Sequence, residues 1–181
     1  MKSKIAFLLP FLFFIGILAV QSQVADPHGS DESAITGIIS SETQNDTMLD
    51  INAFAKDYAQ AWCSQNPKLV SLFYSEDGSL NINNSTPAVG RAAITQSAKA
   101  FMDAFPDDMV VAFDKLVKTP KGIEFHWTLT GTNTGHNGTG NKVNISGFEL
   151  WQLDENGLIK ESKGTFDAEE YSRQIKYGVE E

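Results

Sequence analysis

Cysteine is almost absent: Cys63 is the single one in 181 residues. No disulfide can close within the chain, and no thiolate cluster can hold a metal. Histidine is nearly as scarce, and His28, His126 and His136 are scattered rather than spaced as ligands, so no metal is expected. The chain has no Gly-x-Ser-x-Gly elbow, no phosphate-binding loop and no dinucleotide fingerprint, the devices of serine hydrolases and of nucleotide enzymes. No cofactor is therefore expected. Basic residues are few, 14 against 23 acidic, for a formal net charge of −9. Such a surface repels a phosphate backbone, and no basic run offsets it, so nucleic acid is not an expected partner.

What is present begins with one apolar run. Ile5 to Val20 follows Lys2 and Lys4, is interrupted only by Pro10 and Gly16, and leads to small residues at Ala19 and Ser22. A basic start and an apolar stretch short for a bilayer span predict a secretory signal peptide over residues 1–22, rather than an uncleaved anchor. The expected product is secreted or periplasmic, with no stable membrane embedding after cleavage. Residues 23–47 are rich in Ser, Asp, Glu, Thr, Asn and Gly, with Ile35, Ile38 and Ile39 as their bulky apolar side chains. They are expected to be a disordered spacer. Residues 48–181 are the size of one domain, and 41% apolar residues supply its core. Asn-x-Ser/Thr sequons at Asn45, Asn83, Asn84, Asn137 and Asn144 carry glycans only in a eukaryotic secretory route.

Within the domain the hydrophobic period changes from helical to alternating. Ile51, Phe54, Ala55, Tyr58, Ala59 and Trp62 fall on one face of a helix predicted over Met48 to Cys63. Thr47 with Asp50 has the spacing of a capping box at its start. Cys63 beside Trp62 reads as a buried structural thiol. Asn66-Pro67 starts a short second helix bearing Leu69, Val70, Leu72 and Phe73. A short strand is expected over Gly78 to Asn83, and a third helix over Arg91 to Phe105. Four strands follow: Met109 to Val117, one from Ile123, Val143 to Leu153, and Leu158 to Phe166. Asp154-Glu155-Asn156-Gly157 turns the last hairpin. A final helix is expected from Ala168 to Tyr177, for which Asp167 is a good N-cap. Early helices and a late meander imply α+β, with helices packed on one face of a curved antiparallel sheet and an apolar pocket at its mouth.

Two ionisable residues stand out within the strands. Alternation sets Glu149 on one face with Val143, Ile145, Gly147 and Trp151. A carboxylate there is costly unless paired or functional, so Glu149 is an acid/base candidate, with Arg91 or Lys115 as a structural partner. His126 shares a face with Glu124, Thr128 and Thr130. It would serve as proton shuttle or oxyanion donor if that face is inward, and otherwise belongs to the outer or dimer-facing side. Tyr58, Trp62, Phe73, Phe101 and Trp127 read as core, some of them also lining a ligand pocket near its mouth.

The run Trp127-Thr128-Leu129-Thr130-Gly131-Thr132-Asn133-Thr134-Gly135, then Thr139 to Val143, Gly147, Asn156-Gly157-Leu158-Ile159 and Asp167 resembles the SnoaL-like polyketide cyclases of the NTF2-like superfamily. Tyr58, Trp62, Gly90-Arg91 and Ile94 match in order and spacing. The resemblance implies a cone-shaped α+β barrel that commonly forms a homodimer. It implies a general acid/base at Asp167 for an intramolecular aldol closure, and a substrate-binding place at Asn133, where the family commonly has histidine. The tryptophan common before the terminal aspartate is replaced here by the Gly164-Thr165 neighbourhood. Two functions follow: a cofactor-independent cyclase or isomerase acting on a small apolar carbonyl compound, or a non-catalytic small-molecule-binding or dimerisation module.

Overall fold

The computed structural model describes residues 50–180. The expected signal peptide, the spacer and the Thr47 cap lie outside the described residues. Among the described residues no helix is long and apolar enough to cross a membrane.

Helix α1 spans Ile51–Cys63 and α2 Pro67–Ser71. Strand β1 spans Tyr74–Ile82, β2 Ala88–Val89, and helix α3 Gly90–Ala104. Strands β3 (Val110–Thr119), β4 (Gly122–Thr132), β5 (Lys142–Leu153) and β6 (Ile159–Phe166) then lead to helix α4, Ala168–Tyr177. The six strands form one curved, unclosed sheet in the order β2-β1-β6-β5-β4-β3.

Local chemistry explains the ends of these elements. Asp50 caps α1 by itself, accepting from the backbone N–H groups of Asn52 and Ala53. The helix therefore starts three residues later than the Thr47–Asp50 spacing suggests. Asn66 caps α2 with Pro67 at the first helical position, where a missing N–H costs nothing. Asp167 accepts from Glu169 and Glu170 at the start of α4, and those two acids favour the positive end of its dipole. In the β5–β6 turn only Gly157 takes positive φ, at 78°. The Asp154 carboxylate binds the N–H groups of Asn156 and Leu158.

The sheet departs from the expected meander at one pairing. β1 runs parallel to β6, with Leu80 opposite Ser162 and Ile82 opposite Gly164. β1 is also longer than expected, reaching back to Tyr74, and β2 is a two-residue edge not legible in the Pro87–Gly90 turn region. The other long pairs, β5–β6, β4–β5 and β3–β4, are antiparallel.

The core lies between the concave face of the sheet and α1 to α3. Ala55, Tyr58 and Trp62 of α1, Ile94 and Met102 of α3, and Phe125, Ile145 and Trp151 of the sheet are buried in it. α4 docks separately on β5. Its buried Gln174 donates to the Asn144 carbonyl and accepts from the Asn144 N–H, as a neighbouring strand would. Tyr171 of the same helix packs on Phe105 and Phe166.

Replacing Asp167 by Ala is expected to cost about 1 kcal/mol of stability through the lost cap, with Asp167→Asn retaining most of it. Urea unfolding followed by circular dichroism measures this, and equal stability of all three proteins would contradict it.

Candidate functional site

The concave face of the sheet carries a carboxyl side chain in its centre, Glu149, 6% exposed. Strand alternation puts it there: β5 turns Val143, Ile145, Glu149 and Trp151 inward. Its Oε2 accepts from Ser162 at 2.6 Å, from the Trp151 indole at 3.0 Å and from Tyr58 at 3.1 Å, with Tyr74 at 3.5 Å. Oε1 has a single long contact, 3.3 Å from the Tyr58 hydroxyl. The two phenols are 2.9 Å apart, so a Tyr74→Tyr58→Glu149 order of donation uses each hydroxyl proton once. Neither Arg91 nor Lys115 partners the carboxylate. Arg91 donates instead to the Tyr74 carbonyl, and Lys115 is exposed on β3.

The electrostatics follow from burial. Loss of water pushes the Glu149 carboxyl above its ordinary value, while hydrogen bonds from Ser162, Trp151, Tyr58 and Tyr74 pull the other way without cancelling it. Burial, reinforced by the adjacent carboxylate, holds Tyr58 and Tyr74 well above the usual phenol range, so both remain donors.

Beside Glu149 lies a hollow of about 50 Å³. Trp62 of α1, Phe101 of α3, and Phe125 and Trp127 of β4 form its aromatic walls. Glu149 is the one titratable residue of the lining, which is otherwise apolar. Gly164 opens one side: a Cβ there would stand 3.6 Å from Glu149 Cγ.

The structure brings some of the sequence candidates together and separates others. Glu149, Trp62, Phe101 and Trp127 meet at the hollow, and Tyr58 lies behind Glu149 as its donor. Phe73 lies elsewhere, lining a shallow groove with Phe54, Leu69 and Leu72. Asp167 is exposed and its carboxylate caps α4. His126 lies on the opposite face of β4, 3.0 Å from Glu124 and stacked on Phe148. Asn133 is buried but serves its own loop, donating to the Ala104 carbonyl and accepting from the Thr139 N–H. Sequence reasoning missed Tyr74, Trp151 and Ser162 as partners of Glu149. Ser162 and Gly164 did carry a signal, since they alternate with the exposed Lys163 and Thr165.

A family model of the SnoaL-like polyketide cyclases matches residues 52–175. The chain belongs to the SnoaL-like polyketide cyclase family. Solved structures agree in fold. A SnoaL-like protein from Jannaschia sp. CCS1 aligns with a TM-score of 0.61 at 13% identity, over 71% of this chain and 92% of that one. An NTF2-like protein of unknown function from Burkholderia pseudomallei K96243 gives 0.59 at 15% identity, over 71% and 98%. A protein with a ketosteroid isomerase-like fold from Catenulispora acidiphila DSM 44928, solved with trimethylamine, gives 0.58 at 17% identity, over 68% and 92%. No curated protein matches the chain.

In this SnoaL-like domain the buried carboxylate is also a stability determinant. Glu149→Ala leaves the Ser162, Trp151 and Tyr58 donors without their acceptor and is expected to cost about 3 kcal/mol, more than Glu149→Gln. Because the folded-state pKa is raised, the fold favours the protonated acid. That contribution is complete below the unfolded carboxylate pKa and is lost as pH rises through the higher folded value. Wild-type stability measured against Glu149→Gln should therefore decline across that window in chemical denaturation. A rising difference would mean that the donors outweigh burial and hold the group ionised.

Proposed function

We propose that this chain is an exported, cofactor-independent acid/base catalyst of the cyclase or isomerase type, acting on a small apolar carbonyl compound with Glu149 as the acid/base. The observation that carries this reading is a single carboxylate of raised pKa in an apolar hollow, with one oxygen held by Ser162, Trp151 and Tyr58 and the other nearly free. Proton transfer next to a carbonyl needs a base tuned upward from its ordinary range, and burial provides that. Oε1 takes the α-proton as the C–H bond breaks, and the electron pair moves into the carbonyl to give an enolate. Glu149 then returns that proton, to the γ-carbon of a conjugated dienolate in the isomerisation of an unsaturated ketone, or to the alkoxide left when the enolate adds to a second carbonyl of the same molecule in a closure. Oε2 stays bound to Ser162 and Trp151 throughout, which keeps the carboxyl oriented. In this reading Asp167 keeps its capping task and His126 belongs to the outer face.

A second reading, a small-molecule receptor without turnover, is favoured by the size of the hollow. About 50 Å³ suits a compact ligand, and aromatic walls with one carboxylate suit a small amine. The Catenulispora neighbour was solved with such a molecule. The homodimer is retained as part of the proposal, with the outer face of β4 and β5 as its surface, where Thr128 and Ser146 are hydrogen-bonded to each other and Phe148 is half-buried. Sedimentation as a monomer at all accessible concentrations would remove it.

Solvent-deuterium exchange into a panel of small ketones, followed by proton NMR, separates the two functions. Wild-type protein should accelerate exchange, Glu149→Gln should lose on the order of a hundredfold or more, and Asp167→Asn should stay near wild type. Saturable binding with no exchange supports the receptor, and unchanged exchange in Glu149→Gln would sink the acid/base assignment.

A further inference from the structure

A glycine inside a strand weakens the fold, because it loses the most conformational freedom on folding and packs no side chain. It is retained where φ must be positive, where a Cβ has no room, or where a ligand comes close to the backbone. Gly164 meets neither of the first two conditions. It lies within β6, paired with Glu149 of β5 on one side and Ile82 of β1 on the other. Its φ is not positive. A Cβ there would stand 3.6 Å from Glu149 Cγ, 3.6 Å from the Asn81 carbonyl oxygen and 3.9 Å from Ile82 Cγ1, all ordinary contacts. The fold itself explains the other glycines of the described strands. A Cβ would collide with backbone carbonyl oxygens at Gly78, Gly122 and Gly147, and would press on the Phe105 ring at Gly131. Gly164 alone among them is bare without need, and its bare surface lines the hollow beside Glu149. At the flanking inward positions of β6, Ser162 is committed to Glu149 and Phe166 closes the wall with its ring.

We propose that Gly164 is the specificity-determining residue of this site: its missing side chain leaves a recess of about one methyl group against β6, filled by an apolar group of the ligand that lies beside Glu149. This rests on a ligand occupying the hollow, which both readings above share, and adds what that ligand must present there. The nearest walls of the recess are two carbons, Glu149 Cγ and Ile82 Cγ1, and one carbonyl oxygen, that of Asn81. A methyl or methylene group suits such walls, whereas a charged group would lose its water without gaining a partner. An alanine at this position would supply the same methyl from the chain itself. The fold would then keep or gain stability while the ligand loses its place.

The test uses Gly164→Ala in the full chain and has two arms. In urea the variant should unfold at the same or a higher midpoint than wild type; a clearly lower midpoint would show that the glycine serves the fold and would overturn the proposal. For binding, acetone and butanone, which differ by one methyl, are titrated into the ¹⁵N-labelled proteins and followed by NMR. Wild type should bind butanone about fourfold more tightly, the effect of one buried methyl. Gly164→Ala should bind butanone about tenfold more weakly than wild type does and acetone almost as before, so that the order reverses. Equal losses for the two ketones, an unchanged order, or no binding of butanone to wild type would each overturn the assignment. Deuterium exchange into the same ketones tests the acid/base reading separately. If the order reverses and neither ketone exchanges, the Gly164 assignment stands and the catalytic reading falls. If exchange occurs and the order is unchanged, the catalytic reading stands and the Gly164 assignment falls.

Discussion

Glu149 ties together four elements at the centre of the cone. Tyr58 reaches it from α1, Tyr74 from β1, Trp151 from its own strand and Ser162 from β6. A carboxylate this deep is tolerated only with compensation, and here hydrogen bonds to Oε2 supply it while burial raises the proton affinity of the group. Each donor must arrive at a fixed place. The requirement therefore constrains how α1 lies on the sheet and how β1 joins β6, since the parallel pairing of those strands brings Tyr74 and Ser162 to the same carboxylate.

Aromatic packing makes that arrangement rigid. Tyr58 meets Trp62, Phe73, Tyr74, Phe125 and Trp151 mostly edge-on, and Trp151 stacks on Phe125 at 4.7 Å. Rings locked on strands and a helix hold the carboxyl more firmly than a loop would. Space is then made by omission. Gly164 leaves the approach to Glu149 open, and Gly147 leaves room for the Trp127 indole, whose Cζ2 a Cβ there would meet at 2.7 Å. The result is a small, mostly apolar hollow beside a group whose proton affinity has been raised, which is the local condition that acid/base chemistry on an uncharged molecule needs.

Much of this was legible before any coordinates. The face of Glu149 followed from strict alternation between Val143 and Trp151, which β5 obeys because one side of a strand must be buried for the sheet to have a core. The same alternation placed His126 with Glu124 and Thr128, and the structure has that face outward. Asp167 was readable as a cap, because an acid before Ala-Glu-Glu needs no further partner. The illegible parts were those created by distant residues meeting. β1 extends back to Tyr74 only because β6 lies beside it, and the pairing with Tyr58 spans 16 residues of sequence. Arg91 and Lys115 looked like natural counter-ions for Glu149, yet a buried carboxyl is satisfied here by neutral donors, which do not carry a second desolvation cost.

By itself the sequence determined the α+β order of elements, which side chains share a face of each long strand, the Asp167 cap and the family, because these depend on periodicity and on residues a few positions apart. Only the tertiary structure decided what surrounds Glu149 and how little room remains beside it. Those properties arise from side chains that are remote along the chain and adjacent only once the sheet has curved over α1 to α3, so no local pattern records them.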